Sequence, residues 1–219
     1  MSKTFELLVF DWDGTLMDSV EHIVASLSAA AADTKMADLG HQRYRDIIGL
    51  GLSEAMYALY PDATEDDQAR LCERYRHHFH DKRKGQSSLF EGTHEMLCGL
   101  KDNDIKIAVA TGKARVGLDR VFEETGYGDM FHASRCADES GSKPKPHMLH
   151  ELMIELGVAP ENTIMIGDTT YDMQMASNAG TAGLAVSYGV HSREQLMEHK
   201  PLACCNNVNE LSQWLHSHS

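Results

Sequence analysis

Two carboxylates one residue apart, Asp11 and Asp13, end the apolar run Leu7-Leu8-Val9-Phe10 and are followed by Gly14 and Thr15. A carboxylate can accept a phosphoryl group covalently. A second one beside it can protonate the leaving oxygen and then deprotonate water. Three further groups suit the same chemistry. Thr111-Gly112-Lys113 follows the apolar stretch 105–110, and Gly167-Asp168-Thr169-Thr170-Tyr171-Asp172 follows 163–166. Lys143 stands in Ser142-Lys143-Pro144-Lys145-Pro146, just before a predicted helix. A hydroxyl, an ammonium and free backbone N–H groups can hold phosphoryl oxygens, and paired acids offer the hard oxygens that magnesium takes. Each motif alone has a plain structural reading, an acidic turn or a helix N-cap. Together, and at the ends of successive apolar strands, they point to phosphoryl transfer.

The elements that must position these residues follow from periodicity. Phe5 to Phe10 reads as a buried strand. Helical spacing then takes over through Val20, Ile23, Val24 and Leu27, with Asp18 and Glu21 spaced as a capping box. Ser53 is expected to cap a short helix ending near Pro61, and Thr64 a longer one carrying Leu71, Tyr75 and Phe79. The basic run Asp81-Lys82-Arg83-Lys84-Gly85 closes that helix. After Leu89 strands alternate with helices: strands at 105–110, 131–135, 163–168 and 182–188, and helices with apolar faces at Leu118, Val121 and Phe122, at Met148, Leu149, Leu152, Met153 and Leu156, and at Val208, Leu211 and Leu215. Such alternation implies an α/β fold, a doubly wound parallel sheet with a Rossmann-like core. Ligands of such sheets sit at the C-terminal strand ends. The helical block is too long for a crossover and reads as an inserted α-helical cap, residues 17–87, between core segments 1–16 and 88–219.

Composition narrows the partners. Twenty Lys+Arg against 33 Asp+Glu, a formal charge of −13, disfavours a nucleic-acid partner and an anionic membrane surface. The five cysteines are odd in number and form no CxxC pair, which argues against a disulfide framework or zinc site and fits a reducing cytoplasm. The apolar run at the N-terminus stops at an acid after a few residues, unlike a signal peptide or a membrane span. The oligomeric state is not readable from sequence.

The motif set resembles the haloacid dehalogenase-like superfamily in its phosphatase branch. LLVFDWDGT is similar to that family's first motif, AVATGK to its second, KPKP to its lysine motif and IGDTTYDMQMASNAG to its fourth. The helical insert resembles the family's α-helical cap. The fourth motif and the glycine pair in IIGLGLSEAM are most like those of phosphoglycolate phosphatases. The resemblance implies Mg2+ as cofactor and a small phosphorylated metabolite, an acid or a sugar, as substrate. It implies Asp11 as nucleophile and metal ligand, and Asp13 as general acid/base with its backbone carbonyl on the metal. Thr111 would hold a phosphoryl oxygen, and Lys143 would neutralise nucleophile and phosphate. Asp168 would be a metal ligand, and Asp172 would orient Lys143 or a metal-bound water. Backbone N–H groups near Trp12 and Gly112 would complete the oxyanion cradle.

Lys113 and Lys145 read as solvated neighbours. The loop Gly49-Leu50-Gly51-Leu52 could close over the leaving group, and Arg43 or Arg45 could hold a substrate carboxylate; an interhelical turn and a solvated helix face are the bland alternatives. His77, His78 and His80 are expected to face solvent or fill helix contacts. A hexose-phosphate phosphomutase uses the same motifs and is the alternative enzyme. A carbon–halogen hydrolase would leave Asp13 without a task. A phospho-accepting signalling domain would be shorter, without a cap, and would carry its acids on different strands.

Overall fold

The computed structural model describes residues 4–81, 87–103 and 105–218, and of Asp102 the backbone alone. The basic residues Lys82, Arg83 and Lys84, read from the sequence as closing a helix, lie outside the described residues. The core is a six-stranded parallel sheet of β1 (Leu7–Phe10), β4 (Lys106–Thr111), β5 (Ala133–Cys136), β6 (Thr163–Gly167), β7 (Ala182–Val186) and β8 (Cys204–Cys205), in the order β5-β4-β1-β6-β7-β8. A short antiparallel ribbon joins β2 (Met17–Asp18) to β3 (Ser88–Leu89).

Every residue of β1 is fully buried, because both faces of the sheet are covered. Leu8, Phe10, Ile107, Val109, Ile164 and Ile166 face one way, against α5 (Thr93–Asp102), α6 (Arg115–Thr125) and α11 (Val208–His216). Leu7, Val9, Ala108, Ala110 and Met165 face the other, against α8 (His147–Leu156) and α9 (Thr170–Ala179). The alternation follows from the period of two along a strand.

Between β2 and β3 the chain forms α1 (Val20–Thr34), α2 (His41–Arg45), α3 (Leu52–Leu59) and α4 (Glu65–Phe79). They share an apolar cluster of their own, including Ile23, Leu27, Tyr44, Met56 and Leu71. Two sequence expectations fail here. Ser19, not Asp18, is the N-cap of α1, and its hydroxyl donates to Asp13 Oδ1 at 2.7 Å instead of capping the helix. Gly51, not Ser53, precedes α3. Thr64 does cap α4, accepting from Asp67 N at 3.2 Å.

Candidate active site

Register places the chemistry. Phe10 pairs with Val109 of β4 and with Ile166 of β6, so Asp11 lies level with Ala110 and Gly167 and one residue short of Thr111 and Asp168, all at the C-terminal edge of the sheet. The chain passes from one side of β1 to the other between β5 and β6, and that is where such sheets open a crevice. Lys143 reaches the same point from the loop before α8. Its Nζ lies 2.7 Å from Asp11 Oδ1 and 2.7 Å from Asp172 Oδ1, with no exposed side-chain surface. Asp172 is held by the start of α9: its Oδ2 accepts from Thr169 N at 3.0 Å and from the Thr169 hydroxyl at 2.6 Å. Asp172 Oδ2 is thus engaged by the helix cap, and its Oδ1 faces Lys143. Asp168 accepts from the Thr15 hydroxyl at 2.7 Å and from Val190 N at 2.8 Å. Thr15 and Thr169 carry no role of their own in the sequence reading; their places in the two acidic motifs, at Asp13-Gly14-Thr15 and Asp168-Thr169, are the available signal.

Oxygens of Asp11, Asp168 and Asp172 lie within 4.8 Å of one another, all buried. Three carboxylates face one ammonium, so the fully ionised cluster carries two uncompensated negative charges. Burial, opposed by Lys143 and reinforced by Asp172 and Asp168, pushes the Asp11 carboxyl well above its ordinary range. Burial and Asp172 push Asp168 up to about 7. Lys143 is pulled down by burial, but Asp11 and Asp172 outweigh that and hold it protonated. Among the described residues, Asp11 Oδ2 is buried without a hydrogen-bond partner. A buried, unpaired acceptor in an anionic cluster is a position for a hard cation.

Asp13 lies beside this cluster. Lys113 Nζ approaches its two oxygens at 2.8 and 2.9 Å and sits 4.7 Å over the Phe79 ring of α4. This corrects the sequence reading of Lys113 as a solvated neighbour: the turn after β4 brings it back over the end of β1. Lys145 is exposed, as expected. Trp12 N donates to Asp11 Oδ1 at 2.7 Å, so in this conformation that N–H is engaged by the carboxylate. The Trp12 ring is fully buried, edge-on to Phe122 and Phe131.

The loop 49–52 lies on the site. Gly112 faces it so closely that a Cβ there would stand 2.5 Å from Leu50 O and 2.7 Å from Gly49 O. Gly51 N donates to Ser142 Oγ at 2.8 Å, tying the loop to the residue before Lys143. A cavity of 110 Å³ remains between loop and sheet, with Asp11, Asp13 and Thr111 in its wall. Arg45 is not part of that wall. Its Nε donates to Val190 O at 3.0 Å and a terminal nitrogen donates to Gly189 O, so it docks α2 onto the core instead of facing a substrate. Arg43 donates to Ala58 O at 3.0 Å. His78 is buried and 2.7 Å from Asp33, His77 is exposed, and His80 stands at the rim of the cavity.

A family model of the haloacid dehalogenase-like hydrolases matches residues 8–186. The chain is 32% identical over 209 residues to a Dickeya dadantii protein named "Probable phosphatase IndB", covering 94% of this chain and 91% of the other. It is 29% identical to a phosphoglycolate phosphatase of Rhodospirillum rubrum, over 95% of this chain and 90% of that one. Its fold superposes on a hydrolase of Pseudomonas syringae with a TM-score of 0.89 at 22% identity, covering 99% and 100% of the two chains.

Proposed function

The chain belongs to the haloacid dehalogenase-like hydrolases, as a phosphoric monoester hydrolase, and from that premise we propose that it is a magnesium-dependent phosphatase of small phosphate monoesters working through an aspartyl-phosphate on Asp11. The observation that carries this reading is the buried cluster of Asp11, Asp168 and Asp172 around Lys143, with Asp11 Oδ2 left unpaired. In the proposed reaction Asp11 attacks phosphorus, and Thr111 with Lys143 holds the phosphoryl oxygens. Asp13 gives its proton to the leaving oxygen, then takes one from the water that opens the acyl phosphate. Asp172 keeps Lys143 in place. The residues present fit a magnesium ion: two excess negative charges, hard oxygens and a buried free acceptor, with Asp11, Asp168 and the Asp13 carbonyl as its ligands. When bound, the ion would offset the charge of the nucleophile and of the phosphoryl group.

The helices of 17–87 act in this reading as a cap that dries the site, since excluding water strengthens every charge interaction beneath it. Phosphoglycolate is the substrate named for the Rhodospirillum rubrum relative, and it belongs in the first panel beside sugar phosphates, nucleotides and pyrophosphate. The deciding experiment is phosphate release from that panel by purified protein, with magnesium and with chelator. Turnover that persists in excess chelator would sink the metal assignment.

Two outcomes are expected beyond that. Asp13→Asn should slow turnover on the order of 10²–10⁴-fold, as loss of a proton-transfer group does. With a nitrophenyl ester, whose leaving group needs no proton, aspartyl-phosphate should accumulate and appear by mass spectrometry after acid quench. Absence of the adduct would argue for direct attack by water.

The second outcome concerns pH. Asp168 has a folded value of about 7 against 3.8 unfolded, so the native metal-free state holds a proton that the unfolded state has released. Its contribution to stability is therefore lost as pH rises between those values. A bound cation favours the ionised carboxylates and reverses this. The rise in Tm caused by magnesium should be larger at pH 8 than at pH 5.5. An equal or smaller rise at pH 8 would contradict the cluster's electrostatics.

A further inference from the structure

The cavity over Asp11 has two unlike halves. Its floor is polar: Asp11, Asp13, Thr111 and Lys113. Its roof comes from the inserted helices and their loop, and is formed by Ile23, Leu27, Ile47, Leu50, Tyr75 and Phe79. Ile23, Leu27 and Ile47 are themselves buried parts of the inserted helices' apolar cluster, not side chains that can turn away to expose polar neighbours. Among these six the Tyr75 hydroxyl is the one polar side-chain atom, and no hydrogen bond joins it to another described residue; its ring stacks on Phe79. Arg76 and His80 also line this cavity and are exposed.

A phosphate ester bound in this cavity, with its phosphorus facing Asp11 and its bridging oxygen facing Asp13, would set the rest of its alcohol against that roof. The alcohol's hydroxyl groups would lose their water there and find a single side-chain partner, while the Gly49 and Leu50 carbonyls are packed against Gly112. Each hydroxyl buried without a partner costs roughly 5- to 150-fold in binding. A methylene chain at the same place gains instead, by leaving water for an apolar wall. The volume of 110 Å³ admits a short chain only.

We propose that this site selects phosphate monoesters of short, largely apolar alcohols, with the Tyr75 hydroxyl as the single polar anchor, and discriminates against polyol and sugar tails. The assignment rests on the phosphatase reading above and narrows it: sugar phosphates move to the bottom of the substrate panel, and a hexose-phosphate phosphomutase is disfavoured with them.

The test uses two esters with the same three-carbon skeleton, propyl phosphate and glycerol 1-phosphate. They share a primary leaving oxygen and differ by two hydroxyls, of which Tyr75 can satisfy one. The expected kcat/KM ratio is at least tenfold in favour of propyl phosphate, and a smaller ratio overturns the proposal. Leu50→Asn places an amide in the roof from a half-buried loop position, and should shrink the ratio at least threefold. A folded Leu50→Asn protein with an unchanged ratio also overturns it, and thermal melts report whether the variant folds. Should it not fold, the wild-type ratio alone decides. Hydrolysis of nitrophenyl phosphate that depends on Asp11 separates the two claims. If that activity is present and the ratio is below ten, the tail assignment fails and the phosphatase reading stands. If neither ester nor nitrophenyl phosphate is hydrolysed, the phosphatase reading fails and takes this proposal with it.

Discussion

Asp11→Asn is expected to remove turnover while leaving the fold intact. Asparagine keeps the size and the hydrogen-bonding outline of the side chain but cannot attack phosphorus. Loss of a nucleophile that works as part of a unit costs on the order of 10⁶-fold, so the assay background will set the measured floor. Stability should not fall with it. The cluster carries more negative than positive charge, and Asp172 and Asp168 both raise the cost of ionising Asp11. Removing one anion relieves that repulsion, and Lys143 keeps its contact with Asp172. The variant should melt no lower than the wild type in chelator. Phosphatase rates within tenfold of wild type in this variant would dismiss Asp11 as the nucleophile.

Lys143→Met carries the second large effect, and it acts on both fold and chemistry. Methionine keeps the unbranched shape and most of the length of the side chain without the charge. Lys143 is the cation between Asp11 and Asp172, and its side chain is wholly buried. Breaking a buried ion pair from one side leaves the other partner uncompensated, at a cost of about 3–5 kcal/mol. The remaining carboxylates can escape part of that cost by taking up protons. Destabilisation should therefore be larger at pH 8 than at pH 5.5. Turnover should drop on the order of 10²–10³-fold, as when one donor to a developing oxyanion is removed. A variant that melted like the wild type at pH 8 and kept its activity would show that Lys143 is dispensable, against its central place in the cluster.

The sheet and the placement of its chemistry were legible because the signals are local. Leu7 to Phe10 is an unbroken apolar run ending in Asp11, and 163–166 is another ending in Gly167-Asp168; strands buried on both faces have to look like this. What escaped depended on partners distant in sequence. Lys113 read as a surface lysine because Asp13 is 100 residues away along the chain. Asp18, not Ser19, read as the helix start, because the acceptor of the Ser19 hydroxyl, the Asp13 carboxylate, becomes near only once Gly14 turns the chain. Arg45 looked free to meet a substrate because the carbonyls of Gly189 and Val190 that occupy it belong to a loop 144 and 145 residues on. The strand Cys204–Cys205 was missed since two residues show no periodicity, and only its pairing with β7 defines it.

The ribbon of Met17–Asp18 against Ser88–Leu89 has a consequence for how such a protein can diversify. The chain leaves the core and returns to it through two paired strands, so the sheet meets the intervening helices as a single loop with its ends already joined. The entropy of closing a loop grows only with the logarithm of its length, about 0.6 kcal/mol for each doubling. Lengthening or replacing the segment beyond this ribbon therefore costs the core little, and Asp11, Thr111 and Asp168 stay where β1, β4 and β6 put them. A graft exchanged at Asp18 and Ser88 can change which alcohol is released while the catalytic strands fold as before.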